Sequence, residues 1–195
     1  MVTMKTIKSS IYLSNEKSGG WIFPLLVVEL LGISLGAFLA VNSENSGILR
    51  KYICPEVYGG AFLQVFLTAF SAYFAYLLLS FFLGLFLFGQ GGGVILLCCL
   101  GAEIGCTASH MYMENGTAAI MWIILLYLPT TAVISLIGIL SAREVIRNST
   151  ALLKSTVSSA EPPPLKSYCL RFMLLTVAAL FLSALYGFAN HFFSV

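Results

Sequence analysis

The chain has 195 residues, of which 59% are hydrophobic and only 9% charged, with a formal net charge of +2. A soluble globular domain carries about 25% charged residues, so this composition leaves too little polar surface to cover a core in water and makes the bilayer the natural solvent. So small a net charge also points away from nucleic-acid binding.

Residues 1–20 are polar and carry Lys5, Lys8 and Lys17, which reads as a cytoplasmic N-terminal segment. The apolar run at 21–41 follows. A signal-peptide apolar region is roughly 7–15 residues and a membrane helix needs roughly 20, so 21–41 reads as an uncleaved first span. It carries Glu29 and a stripe of small residues, Gly32, Gly36 and Ala40. A polar loop with a Cys54-Pro55 step leads to a second apolar segment at 61–88. As one continuous helix that segment would be about 42 Å long, against a hydrocarbon core of about 30 Å. It must tilt, or lay its first turns at the interface.

Gly89 to Gly93, with Gln90 among them, reads as a tight glycine turn into a third helix at 92–112. That helix carries a second small stripe, Gly101, Gly105 and Ser109, together with Glu103. Asn115-Gly116 marks a short turn before a fourth helix at 118–142. Pro129 lies in its middle, followed by Thr130 and Thr131. The proline removes a backbone donor and should kink the helix, and the threonine hydroxyls can help satisfy what it frees. Residues 143–171 read as a cytoplasmic loop. Its first half keeps apolar residues (Val145, Ile146, Leu152, Leu153, Val157) that can extend helix four amphipathically, before a stiff break at Pro162-Pro163-Pro164. The fifth helix is expected at 172–193. The fold expected is therefore all-α: one polytopic membrane domain over 21–193 with about five spans.

Orientation follows from the basic residues. With five crossings, one side holds Lys5, Lys8, Lys17, Arg143, Arg147, Lys154, Lys166 and Arg171, and the other holds only Arg50 and Lys51. Eight against two places the N-terminus inside and the C-terminus outside. Trp21 and Trp122 suit the interfacial belt, and His110 and His191 fall near the outer face.

Glu29 and Glu103 are the carboxylates well inside apolar segments. A lone carboxylate there costs about 2.5–3.5 kcal/mol on insertion scales and is a functional candidate by default. Each reads either as a proton or cation site or as a polar clamp between helices. On its own helix Glu103 has only Thr107 as a polar neighbour at helical spacing, and no polar track accompanies it. The two glycine stripes let backbones approach closely, either within the chain or against a partner. The five cysteines form neither a zinc pattern nor a disulfide framework and read as small packing residues. There is no catalytic signature, no phosphate cradle and no aspartate, so no active site, metal or cofactor is expected.

The stretch GGGVILLCCLGAEIGCTASHMY, a short outer turn, and then IILLYLPTTAVISLIGILSAREVIR resembles the third and fourth helices of the stage II sporulation protein M family. The sequence LGISLGAFLAVNS is similar to the end of that family's first helix. The matching features are Gly101, Gly105, Pro129 and the Ala142-Arg143 to Arg147 exit. The resemblance implies a non-enzymatic scaffold in the septal or mother-cell membrane of an endospore-forming bacterium. Its partners would be two peptidoglycan-degrading proteins, sporulation proteins D and P, acting during engulfment. The alternative is a small ion-coupled transporter or permease subunit using Glu29 or Glu103. A third reading, an accessory subunit of an unrelated membrane complex, also remains.

Overall fold

The computed structural model describes residues 21–42, 62–158 and 165–193. The N-terminal segment 1–20, most of the loop before helix two and the proline run 162–164 lie outside the described residues, as do the side chains of Trp122 and His191.

The chain is an all-α polytopic membrane protein. In order it forms α1 (Ile22–Asn42), α2 (Phe62–Leu85), α3 (Gly89–Asn115), a short α4 (Thr117–Trp122), a π-helical turn (Ile123–Tyr127), α5 (Leu128–Ser158) and α6 (Leu165–Phe193). Five of these, α1, α2, α3, α5 and α6, are long and apolar enough to cross a bilayer. Their surfaces suit lipid. Large apolar side chains such as Phe23, Leu31, Phe38, Phe181 and Leu185 face outward, while Ser80, Ser141, Ser149 and Ser183 are fully buried, as are Leu97 and Val145.

Neighbouring elements show the helix directions. Gly32 lies against Cys98 and Gly36 against Ala102, so α1 and α3 run parallel. Tyr76 meets Ser141 and Gly84 meets Asn148, so α2 and α5 are also parallel. Phe62 stacks near Phe188, and Phe81 on Tyr168, so α6 is antiparallel to α2. This alternation is what five successive crossings require. One end of the bundle gathers Arg143, Glu144, Arg147 and Arg171, with Arg171 bonded to Glu144 at 2.5 Å. The far end carries Gly116, whose positive φ of 56° and N–H bond to the Tyr112 carbonyl end α3.

Several boundaries differ from the sequence expectation. Helix two is one continuous helix ending at Leu85, and its turn is Phe86–Phe88 rather than the glycine run. Gly89 to Gly93 instead form the first turn of α3. Gly89 and Gly93 are there for space, since a Cβ on Gly89 would stand 1.8 Å from the Leu83 carbonyl and one on Gly93 would stand 3.0 Å from Val145, whereas Gly91 faces open space. The expected loop 143–171 is mostly helix, because α5 runs to Ser158 and α6 starts at Leu165. Polar side chains on this extension do the work of holding the turn. Asn148 donates to the Gly84 carbonyl at 2.9 Å. The single Ser149 hydroxyl proton is shared between the Phe86 and Leu87 carbonyls, each 2.9 Å from its oxygen. Tyr168 of α6 donates to the Phe81 carbonyl at 2.9 Å. The last carbonyls of a helix have no partner within it; Asn148 supplies a donor to that of Gly84, and Ser149 holds the turn that follows.

Candidate intramembrane polar site

The two glycine stripes face each other. A Cβ on Gly32 or Gly36 would come within 2.4 or 1.9 Å of the Cys98 or Ala102 carbonyl. One on Gly101 or Gly105 would come within 2.5 or 2.0 Å of the Glu29 or Ile33 carbonyl. All four glycines are thus consumed by backbone-to-backbone contact between α1 and α3. Ala40 and Cys106 close this seam as a small buried pair.

Glu29 is buried beneath the seam. The Ser135 hydroxyl of α5 bonds its carboxyl group, while its other oxygen has no hydrogen-bond partner among the described residues. Tyr76, bonded to Ser80 and Ser141, lies near it. This arrangement ties α1 to α5.

Glu103 has different surroundings. At about 100° per residue, position 103 points away from the face that carries Gly101 and Gly105. It opens into a cavity of about 90 Å³ between α2, α3, the π turn with α5, and α6. The polar walls come from Thr68 of α2, Thr107 of α3, Tyr127 of the π turn, and Thr130 and Thr131 of α5. The sequence expectation that Glu103 has no polar track therefore fails. The track is assembled from three further helices, and only Thr107 shares a helix with Glu103. The floor is apolar. Leu100 and Ile134 are buried there, and the space beyond them is a void of about 10 Å³ with only apolar surface, next to Leu77 and Ile137. Tyr73 and Tyr76 also line this smaller space, and Leu100 and Ile134 stand between it and the Glu103 carboxyl group.

Pro129 shapes one wall. Its missing N–H would leave a carbonyl one turn back unpaired in α geometry. The chain answers with the π turn at Ile123–Tyr127, whose i→i+5 register reaches past the missing donor. The expected kink is thus met as a local widening. It brings the Tyr127 hydroxyl to the Ile104 carbonyl at 2.9 Å. Thr131 donates to the Tyr127 carbonyl at 2.8 Å.

Among the described residues no three His, Cys or Glu side chains come together as metal ligands. Cys98, Cys99, Cys106 and Cys169 are all free thiols. No family model, curated protein or solved structure matches the chain.

Proposed function

We propose that the chain is a non-enzymatic membrane scaffold that anchors peptidoglycan-degrading partners at a septal or engulfing membrane during endospore formation. The partner class, the sporulation setting and the membrane location come from the resemblance of the α1, α3 and α5 sequences to the stage II sporulation protein M family. The structural observation that supports a scaffold is the backbone-to-backbone interlock of α1 with α3 at Gly32, Gly36, Gly101 and Gly105. In this conformation Leu100 and Ile134 close the inner side of the Glu103 cavity, a feature that a carrier resting in one of its alternating states would share. The glycine interlock of α1 with α3 and the hydrogen-bonded turn between α2 and α3 suit a rigid platform.

The second reading, an ion-coupled transporter or permease subunit, has one observation in its favour: Glu103 lies among hydroxyls contributed by neighbouring helices. The two readings separate in one experiment. The tagged full-length chain is recovered in mild detergent from its host during sporulation, and co-purifying proteins are identified by mass spectrometry. The scaffold reading expects peptidoglycan-degrading proteins in stoichiometric yield. Recovery of the chain alone, with proton- or sodium-dependent solute uptake in proteoliposomes, would replace it with the transporter.

A further inference from the structure

The lining of the Glu103 cavity has a chemical bias set by its hydrogen bonds. A hydroxyl has one proton to donate and two lone pairs to accept with. Thr68 donates its proton to the Gln64 carbonyl at 2.8 Å, Thr107 to the Glu103 carbonyl at 2.9 Å, and Thr131 to the Tyr127 carbonyl at 2.8 Å. Tyr127 donates to the Ile104 carbonyl at 2.9 Å. With these four protons spent on backbone, Thr68, Thr107, Thr131 and Tyr127 offer the cavity lone pairs, while Tyr73, Thr130 and Tyr186 complete its hydroxyl lining. The carboxylate of Glu103 adds acceptors and, when ionised, negative charge. What such a site lacks is a donor-rich cation.

The geometry points to the Glu103 cavity as a binding site for a small organic ammonium ion that enters from the end of the bundle opposite the arginines. Three features narrow the ligand to this class. A single carboxylate supplies one unit of charge, where a divalent cation takes several oxygen ligands with more charge. The walls between the hydroxyls are apolar, from Ala69, Ala72 and Ile104, which suits the carbon atoms of an amine better than the hydration shell of sodium. Tyr73, Tyr127 and Tyr186 also line the space, and aromatic rings attract ammonium groups through their π faces. The entry side follows from the helices. On α3, Glu103, Thr107 and His110 recur at i, i+4 and i+7 and so share one face leading to the far end, whereas the opposite direction is closed by Leu100 and Ile134. Ammonium binding and the scaffold role are independent, since either can hold without the other.

The test uses the full chain in lipid nanodiscs with ethylammonium chloride as probe and sodium chloride at equal ionic strength as reference. Thermal unfolding is followed by circular dichroism. Ligand that binds the folded state raises Tm in a saturable way. Ethylammonium should therefore raise Tm above the sodium reference, and Glu29→Gln should keep that rise. Glu103→Gln should lose it. Should Glu103→Gln fail to fold, Thr107→Val carries the test. It removes one acceptor for a charged donor and should weaken the apparent affinity about tenfold. Equal Tm in the two salts, or a full ethylammonium response in both cavity variants, would overturn the assignment.

Discussion

Replacing Gly105 by leucine would put side-chain atoms where the Ile33 carbonyl already stands, since even a Cβ there lies 2.0 Å from it. Neither backbone can yield without separating α1 from α3. Overpacking of a tight site costs typically 1–3 kcal/mol, and with backbone as the obstacle we expect about 3 kcal/mol or more, read as a loss of folded protein in mild detergent. Normal yield and normal Tm for Gly105→Leu would show that the seam is looser than its geometry. Ser149 is a gentler case. It is fully buried and its hydroxyl holds the Phe86 and Leu87 carbonyls, so Ser149→Ala should lower stability by about 1–2 kcal/mol. Unchanged thermal unfolding would mean that the turn is held by packing alone. The glycine stripes could be read from their four-residue spacing. Ser149 could not, because a polar residue beyond a span looks like a solvated loop until the carbonyls it reaches are known.

Among the elements, the spans were readable and their ends were not. Hydrophobic run length fixes where a helix must cross, and all five crossings follow from it. Helix ends depend on what covers the last carbonyls, and here those donors come from residues more than 60 positions away. The same limit applies to Glu103, whose companions lie on α2, the π turn and α5. Pro129 was readable as a disturbance, but the form it takes depends on room for a wider turn. Pro129→Ala restores the missing donor, so the segment should relax toward α geometry and swing Tyr127 away from Ile104. Hydrogen–deuterium exchange over residues 123–131 should then slow in the variant, because π geometry is the weaker hydrogen-bonded form. Equal exchange in both proteins would show that packing against α3, not the proline, imposes the π turn.

Across the whole molecule, the helix directions agree with five crossings, and the distribution of basic residues predicts an inside N-terminus. Impermeant thiol labelling of intact cells should modify Ser194→Cys and leave Ser158→Cys unmodified, and the reverse pattern would invert the orientation. The account rests most heavily on the cavity staying closed on its inner side in every state the protein visits, because a carrier must open there in turn. Thr107 and Ile137 mark its two sides: Thr107 lines the open part, and Ile137 lies in the apolar core behind the floor. In a background with the native cysteines replaced, Thr107→Cys and Ile137→Cys can be exposed in turn to a water-soluble methanethiosulfonate from each side of sealed vesicles. Thr107→Cys should react from the side opposite the arginine cluster only, and Ile137→Cys should stay unreacted from both. Rapid modification of Ile137→Cys from the arginine side would reveal a continuous aqueous path and contradict the scaffold reading.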